Sequence, residues 1–237
     1  MLFVASFHSR SFDRSGLLGV SVARRHRWGA ILGLVLLITM VICGIPTLRH
    51  SLLRRAGWAL VANDAISPAD IIVLAVDTHG SGTLEAADLV HRGVATKVAV
   101  FANATDAIVE NEFVRRGVRY EGGSELSIRE LSALEVTQIE QIPGYVEGSE
   151  DEGPVLADWC GQHRFRSVLV VSTPDHSRRL RRMLRRAMKG HQTRVMVRTA
   201  HYSNFEPDRW WESHSGVRTE IEEWEKLLLD IVRHPFS

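Results

Sequence analysis

The stretch from Arg166 to Lys189 limits the possible folds more than any other part of this chain. Residues 167–172, Ser-Val-Leu-Val-Val-Ser, form a short apolar, β-branched run of the kind that fills a strand buried on both faces. Thr173-Pro174-Asp175 interrupts the run, and from His176 the apolar residues recur at helical spacing. The segment therefore spells strand, tight loop, helix. In open α/β sheets, ligand-contacting groups collect where loops leave the carboxyl ends of strands, and a helix N-terminus there favours anions. His176 and Arg179 stand at that mouth.

At about 100° per residue, Arg178, Arg179, Arg181, Arg182, Arg185, Arg186 and Lys189 share one side of the helix. Leu180, Met183, Leu184, Ala187 and Met188 fill the other. One side is core and the other is basic. Such a face is either solvated surface or a surface for an anionic membrane or phosphate-bearing ligand, because seven cations with no interleaved acid repel one another.

The basic character is local. Over 237 residues the formal net charge is +1, so nothing global points to a nucleic-acid partner and none is expected. Two cysteines, Cys43 and Cys160, give neither a disulfide framework nor a cysteine metal site. Residues 29–48 contain no charged side chain, and a run of about 20 apolar residues matches the bilayer hydrocarbon. Trp28 supplies an interfacial aromatic. No cleavage site of the A-x-A type follows, against a signal peptide, and Ile42 precedes Cys43 where a lipoprotein needs a small residue.

The expected organisation is thus a basic cytoplasmic tail at 1–27, a transmembrane helix at 28–48, a juxtamembrane linker at 49–68 and an α/β domain at 69–237. Arg10, Arg14, Arg24, Arg25 and Arg27 precede the span, against Arg49, Arg54 and Arg55 soon after it. That excess places the N-terminus in the cytoplasm and the domain outside the inner membrane. Residues 51–62 read as a short interfacial or linking helix.

Within the domain, strands are expected at Ala69–Val76, Val98–Phe101, Val136–Ile142, Ser167–Ser172 and Thr193–Thr199, with a further short one at Val118–Tyr120. Helices are expected at Thr83–Arg92, from Thr105 to Arg116, from Ser149 onward, and at Val217–Val232. This alternation predicts a Rossmann-like fold, a mostly parallel sheet with helices on both faces. Glu220, Glu222, Glu223 and Glu225 read as a solvated helix face. Trp210 and Trp211 read as packing at the sheet edge, or as a lid or lipid contact.

Five marks occur in order. They are the opening strand Ala69–Val76, the helix end Ala86-x-x-Leu89-x-x-x-Gly93, Gly117-Val118, Thr173-x-x-His176-x-x-Arg179 after a buried strand, and a Trp/Glu-rich close. Together they resemble the YdcF-like family that includes the SanA and ElyC envelope proteins. The resemblance implies one membrane helix, a Rossmann-like domain and a role in peptidoglycan or lipid-carrier maintenance. Three positions depart from the pattern. Ala75-Val76-Asp77 replaces a glycine pair, Gly82 stands where an arginine is expected, and Ser149-Glu150-Asp151-Glu152 replaces a Thr-x-Glu-Asn turn.

A site at the carboxyl edge would gather Asp77, His79, Ser149, Asp151, Thr173, His176 and Arg179. His176 is the candidate catalytic residue, as general acid or base. Asp77, Ser149, Asp151, Thr173 and Arg179 are candidate ligand-binding residues, with Arg179 suited to forked recognition of phosphate or carboxylate. Asp77, His79 and Asp151 match no metal-ligand spacing, so no metal is expected, and no cofactor is identified. Two rival readings remain: a non-catalytic descendant acting through protein or membrane contacts, and a binder of a nucleotide or S-adenosylmethionine-type ligand.

Overall fold

The computed structural model describes residues 31, 33, 34, 40, 44–103, 107–146 and 148–236. The candidate span at 28–48 lies mostly outside them, and no helix among the described residues is long and apolar enough to cross a membrane. The chain divides into two compact units, Met1–Leu52 and Leu53–Ser237. The division falls within one helix, α1 (Pro46–Leu60), and the strands all belong to the second unit.

Helix α1 is followed by β1 (Ile71–Leu74), a single 3₁₀ turn at Val76–Thr78, α2 (His79–His91), β2 (Lys97–Asn103), α3 (Ala107–Arg115) and α4 (Gly123–Ala133). Then come β3 (Gln138–Val146), α5 (Ser149–His163), β4 (Ser167–Ser172), α6 (Pro174–Ala187), β5 (Arg194–Thr199), a second 3₁₀ turn at Trp210–Glu212 and α7 (His214–Arg233).

The strands form one five-stranded sheet in the order β3-β2-β1-β4-β5, and every neighbouring pair is parallel. Alternate side chains serve opposite faces. Ile71, Val73, Val168, Val170 and Val197 meet Leu156 and Cys160 of α5 and Leu180 and Leu184 of α6. Ile72, Leu74, Val98, Val100, Leu169 and Met196 meet Ala86 and Leu89 of α2 and Leu131 of α4. A sheet covered on both sides needs strands without a polar face, which is why β1 and β4 read as unbroken apolar runs.

The chain order reverses between β1 and β4, so the loops leaving these two strands diverge and leave a crevice at the carboxyl edge. Segment 61–64 then ties the unit together. The Asp64 amide donates to Val197 O at 2.8 Å, and the Ala62 amide donates to Ser177 Oγ at 2.8 Å.

Three expectations need correction. Val118–Tyr120 is not a strand, because Gly117 at φ 72° turns the chain so that the Val118 amide caps Phe113 O at 2.9 Å. Val118 is 49% exposed, with no sheet to join. Helix α4 has no counterpart among the expected elements, since Gly122-Gly123 reads as a breaker; here Gly122 is its N-cap and Leu131 its buried anchor. Glu220 and Glu223 of α7 are buried, not solvated.

Gly82 illustrates a close approach within α2. A Cβ at this position would fall on the Thr78 side chain, whose Oγ1 is fixed by donating to Ala75 O at 2.8 Å. Overpacking of this kind costs about 1–3 kcal/mol. Gly82→Ala is therefore expected to lower the free energy of unfolding in urea by that amount, and the same change should cost much less in a Thr78→Gly background, where both the Oγ1 and the Cβ in its way are gone. Equal loss in both backgrounds would show that Thr78 is not the obstacle.

Candidate functional site

Helix α6 begins one residue after β4, with Thr173 as N-cap and Pro174 in its first turn. Proline suits that position because its missing N–H is an orphan there anyway. This start places His176 and Arg179 one turn apart and faces both toward α7. Arg179 Nε donates to Glu223 Oε2 at 3.0 Å, and Arg179 Nη2 lies 2.9 Å from His176 Nδ1. Lys226 Nζ donates to Glu223 Oε1 at 2.8 Å.

A guanidinium only donates. The short contact therefore makes Nδ1 the acceptor and puts the proton of the neutral ring on Nε2, which has no partner among the described residues. Glu223 Oε2 lies 3.4 Å from Nδ1. Burial pushes the Glu223 carboxyl upward, but its contacts with His176, Arg179 and Lys226 outweigh this and hold it well below the usual carboxylate range.

The same pairing extends along the basic face of α6. Arg181 meets Asp64 at 2.6 Å. Arg182 and Arg186 share Asp230 of α7 at 2.7 and 2.9 Å. Arg178 Nη2 donates to Val61 O at 2.8 Å. Acids distant in sequence thus pair with Arg179, Arg181, Arg182 and Arg186 on a face that looks unpaired when α6 is read alone.

Two clefts open at the carboxyl edge, and Asp77 lines both. The first encloses about 320 Å³ at the β1/β4 reversal; Asp77, Thr78, His79, Ser81, Thr173 and Asp175 are on its wall. The second, about 500 Å³, lies beside the first turn of α5; Ser149, Arg179, Arg186, Lys226 and Arg233 are among its lining residues. Ser149 Oγ donates to Asp77 Oδ2 at 3.3 Å between them.

The structure therefore brings Asp77, Ser149 and Arg179 to one cleft and Asp77, His79 and Thr173 to the other. His176 is only 2% exposed and is not among the residues lining either cleft. Asp151 is exposed on the first turn of α5 and lines neither. Among the described residues, no group of three or more His, Cys, Asp or Glu side chains could hold a metal ion.

Two further carboxylates carry little sequence signal. Glu85 of α2 is 1% exposed and clamps Arg198 Nε at 3.1 Å and His201 Nδ1 at 2.6 Å. Glu152 of α5 is fully buried, and neither of its oxygens has a hydrogen-bond partner among the described residues. Burial first and the Asp77 carboxylate second push its carboxyl up to about 8, against the weaker opposing pulls of the nearby Val76 backbone N–H, whose approach falls short of a well-formed hydrogen bond, and of Arg179. The only sequence signal for either is a carboxylate on the apolar side of an amphipathic helix.

No protein-family model, curated protein or solved structure matches this chain.

An acid whose folded-state pKa is raised contributes stability that is complete below its unfolded value, about 4.3, and is lost as pH rises through about 8. Glu152→Gln keeps the neutral shape and removes the titration. Its melting temperature is expected to exceed that of the parent chain increasingly between pH 5 and pH 9, in thermal scans at about one-unit pH steps. A constant difference across that range would place the Glu152 proton elsewhere.

Proposed function

We propose that this protein is a single-pass, membrane-anchored member of the YdcF-like family that binds an anionic ligand in cell-envelope maintenance. Residues 28–48 form its anchor, with the N-terminus cytoplasmic and the α/β domain, Rossmann-like in its doubly wound order, outside the inner membrane. The uncharged run at 29–48 and the arginine excess before it support the anchor and its direction. The order of the five sequence marks supports the family.

One observation carries the binding reading: the second cleft collects Arg179, Arg186, Lys226 and Arg233 beside the first turn of α5. Helix N-terminal amides and guanidiniums at one mouth favour a phosphate or carboxylate. Asp77, Glu150 and Asp230 on the same wall moderate that field, so the fit is to a ligand anchored at one anionic group. A nucleotide or S-adenosylmethionine-type ligand suits the first loop less well, because Ala75-Val76-Asp77 lacks glycine and Thr78 crowds Gly82.

A second reading, a non-catalytic descendant acting through protein or membrane contacts, is favoured by Glu223. It occupies Arg179 and touches His176, so neither side chain is held ready for a substrate. Under this reading His176→Ala leaves envelope-stress rescue intact, whereas rescue that is lost with a folded variant would assign His176 a reaction.

Pyrophosphate titrated calorimetrically into the full-length protein in detergent tests the binding reading. Arg233→Ala is expected to weaken binding about tenfold, since charge-assisted pairs contribute about 1.5–3 kcal/mol. Unchanged binding would remove the anion assignment. A periplasm-active reporter fused after Ser237 is expected to be active, and activity only for a cytoplasmic reporter would reverse the orientation.

A further inference from the structure

The first cleft has a different chemistry from the second. Its wall carries hydroxyls from Thr78, Ser81, Thr173, Tyr202, Ser215 and Thr219, with the Asp77 and Asp175 carboxylates and no lysine or arginine. The Phe205 ring adds an apolar surface. Behind Asp175, with which it interacts, lies the Glu220 carboxyl. Glu220 is 3% exposed, and its Oε2 has no partner among the described residues.

Two carboxylates with no lysine or arginine beside them disfavour anions, while the hydroxyls and the Asn204 amide both donate and accept. Such a wall suits an uncharged group that donates several hydrogen bonds and offers an apolar face to an aromatic ring. Sugars do both, and carboxylates are their strongest neutral-ligand acceptors. The volume of about 320 Å³ lies at the small end of the range of about 300–1,000 Å³ typical of ligand clefts, room for one ring.

Asp77 is the partition between this cleft and the cationic one. We infer that the two clefts form one composite site for a glycosyl phosphate, with the sugar ring in the first cleft and the phosphate in the second. The inference rests on the anion reading of the second cleft and names the ligand class of the combined site. Asp77, held by Ser149 Oγ, accepts from the ring hydroxyls nearest the phosphate. Arg179, Arg186, Lys226 and Arg233 offset the repulsion between the two anions. Joining two weak contacts in one molecule raises affinity by making the second contact intramolecular.

The test uses three probes on the full-length protein in detergent, namely inorganic phosphate, glucose and glucose 1-phosphate, titrated calorimetrically at constant ionic strength. Glucose 1-phosphate is expected to bind at least tenfold more tightly than phosphate. Thr219→Trp, or Ser215→Trp on the same rim, fills the first cleft from its open side. Each is expected to bring glucose 1-phosphate down to the affinity of phosphate while phosphate binding stays unchanged, with circular dichroism confirming the fold. Glucose 1-phosphate binding no tighter than phosphate would overturn the composite site and leave the anion reading standing. Glucose binding that Thr219→Trp abolishes, without phosphate binding, would overturn the anion reading and the composite site together and leave only a sugar cleft.

Discussion

Glu223 is the group on which the arrangement of the last two helices depends. Helix α6 presents a row of cations that repel one another, and α7 packs against it beside α5 and β5. The Glu223 carboxylate meets Arg179 and His176 from across that contact and Lys226 from its own helix. Asp230 does the same for Arg182 and Arg186 two turns on. A buried pair of this kind gives little net stability against apolar replacements, but it is costly to break by removing one partner. Its structural effect is to fix the register of α7 on α6, and so the position of every α7 residue that lines a cleft.

The sheet is legible in the chain, and the helical contacts that complete it are less so. Residues 167–172 are the observed β4, because a strand covered on both faces has a periodicity that polar contacts do not disturb. Val118–Tyr120 misleads for the same reason in reverse: three β-branched or aromatic-flanked residues look like a strand until Gly117 turns them away from the sheet. The charges are the least legible part. The glutamates of α7 alternate with apolar residues in a way that suits solvent equally well, and only the approach of α6 makes two of them core.

At the carboxyl edge, His176 and Arg179 are adjacent, as their spacing on one helix requires. Their environment is not readable from the chain, since the carboxylate that holds them comes from 44 and 47 residues away. Asp77 and Ser149 come together across 72 residues because the segment leaving β1 and the start of α5 lie at the same side of the sheet. Asp151, two positions from Ser149, is turned outward by the helical period. The division of the edge into a hydroxyl-lined cleft and a cationic one follows from which helices border each: α2 and the start of α7 for the first, α6 and the end of α7 for the second.

A double-mutant cycle on Arg179→Met and Glu223→Met, measured by urea denaturation at neutral pH, tests the contact between α6 and α7 directly. Each single variant leaves a buried polar group without its partner, so the double variant is expected to lose much less than the sum of the two. The coupling should be about 2–3 kcal/mol, at the upper end for contacting pairs. Additive losses would mean that the two side chains do not hold one another, and the fixed register of α6 and α7 would lose its cause.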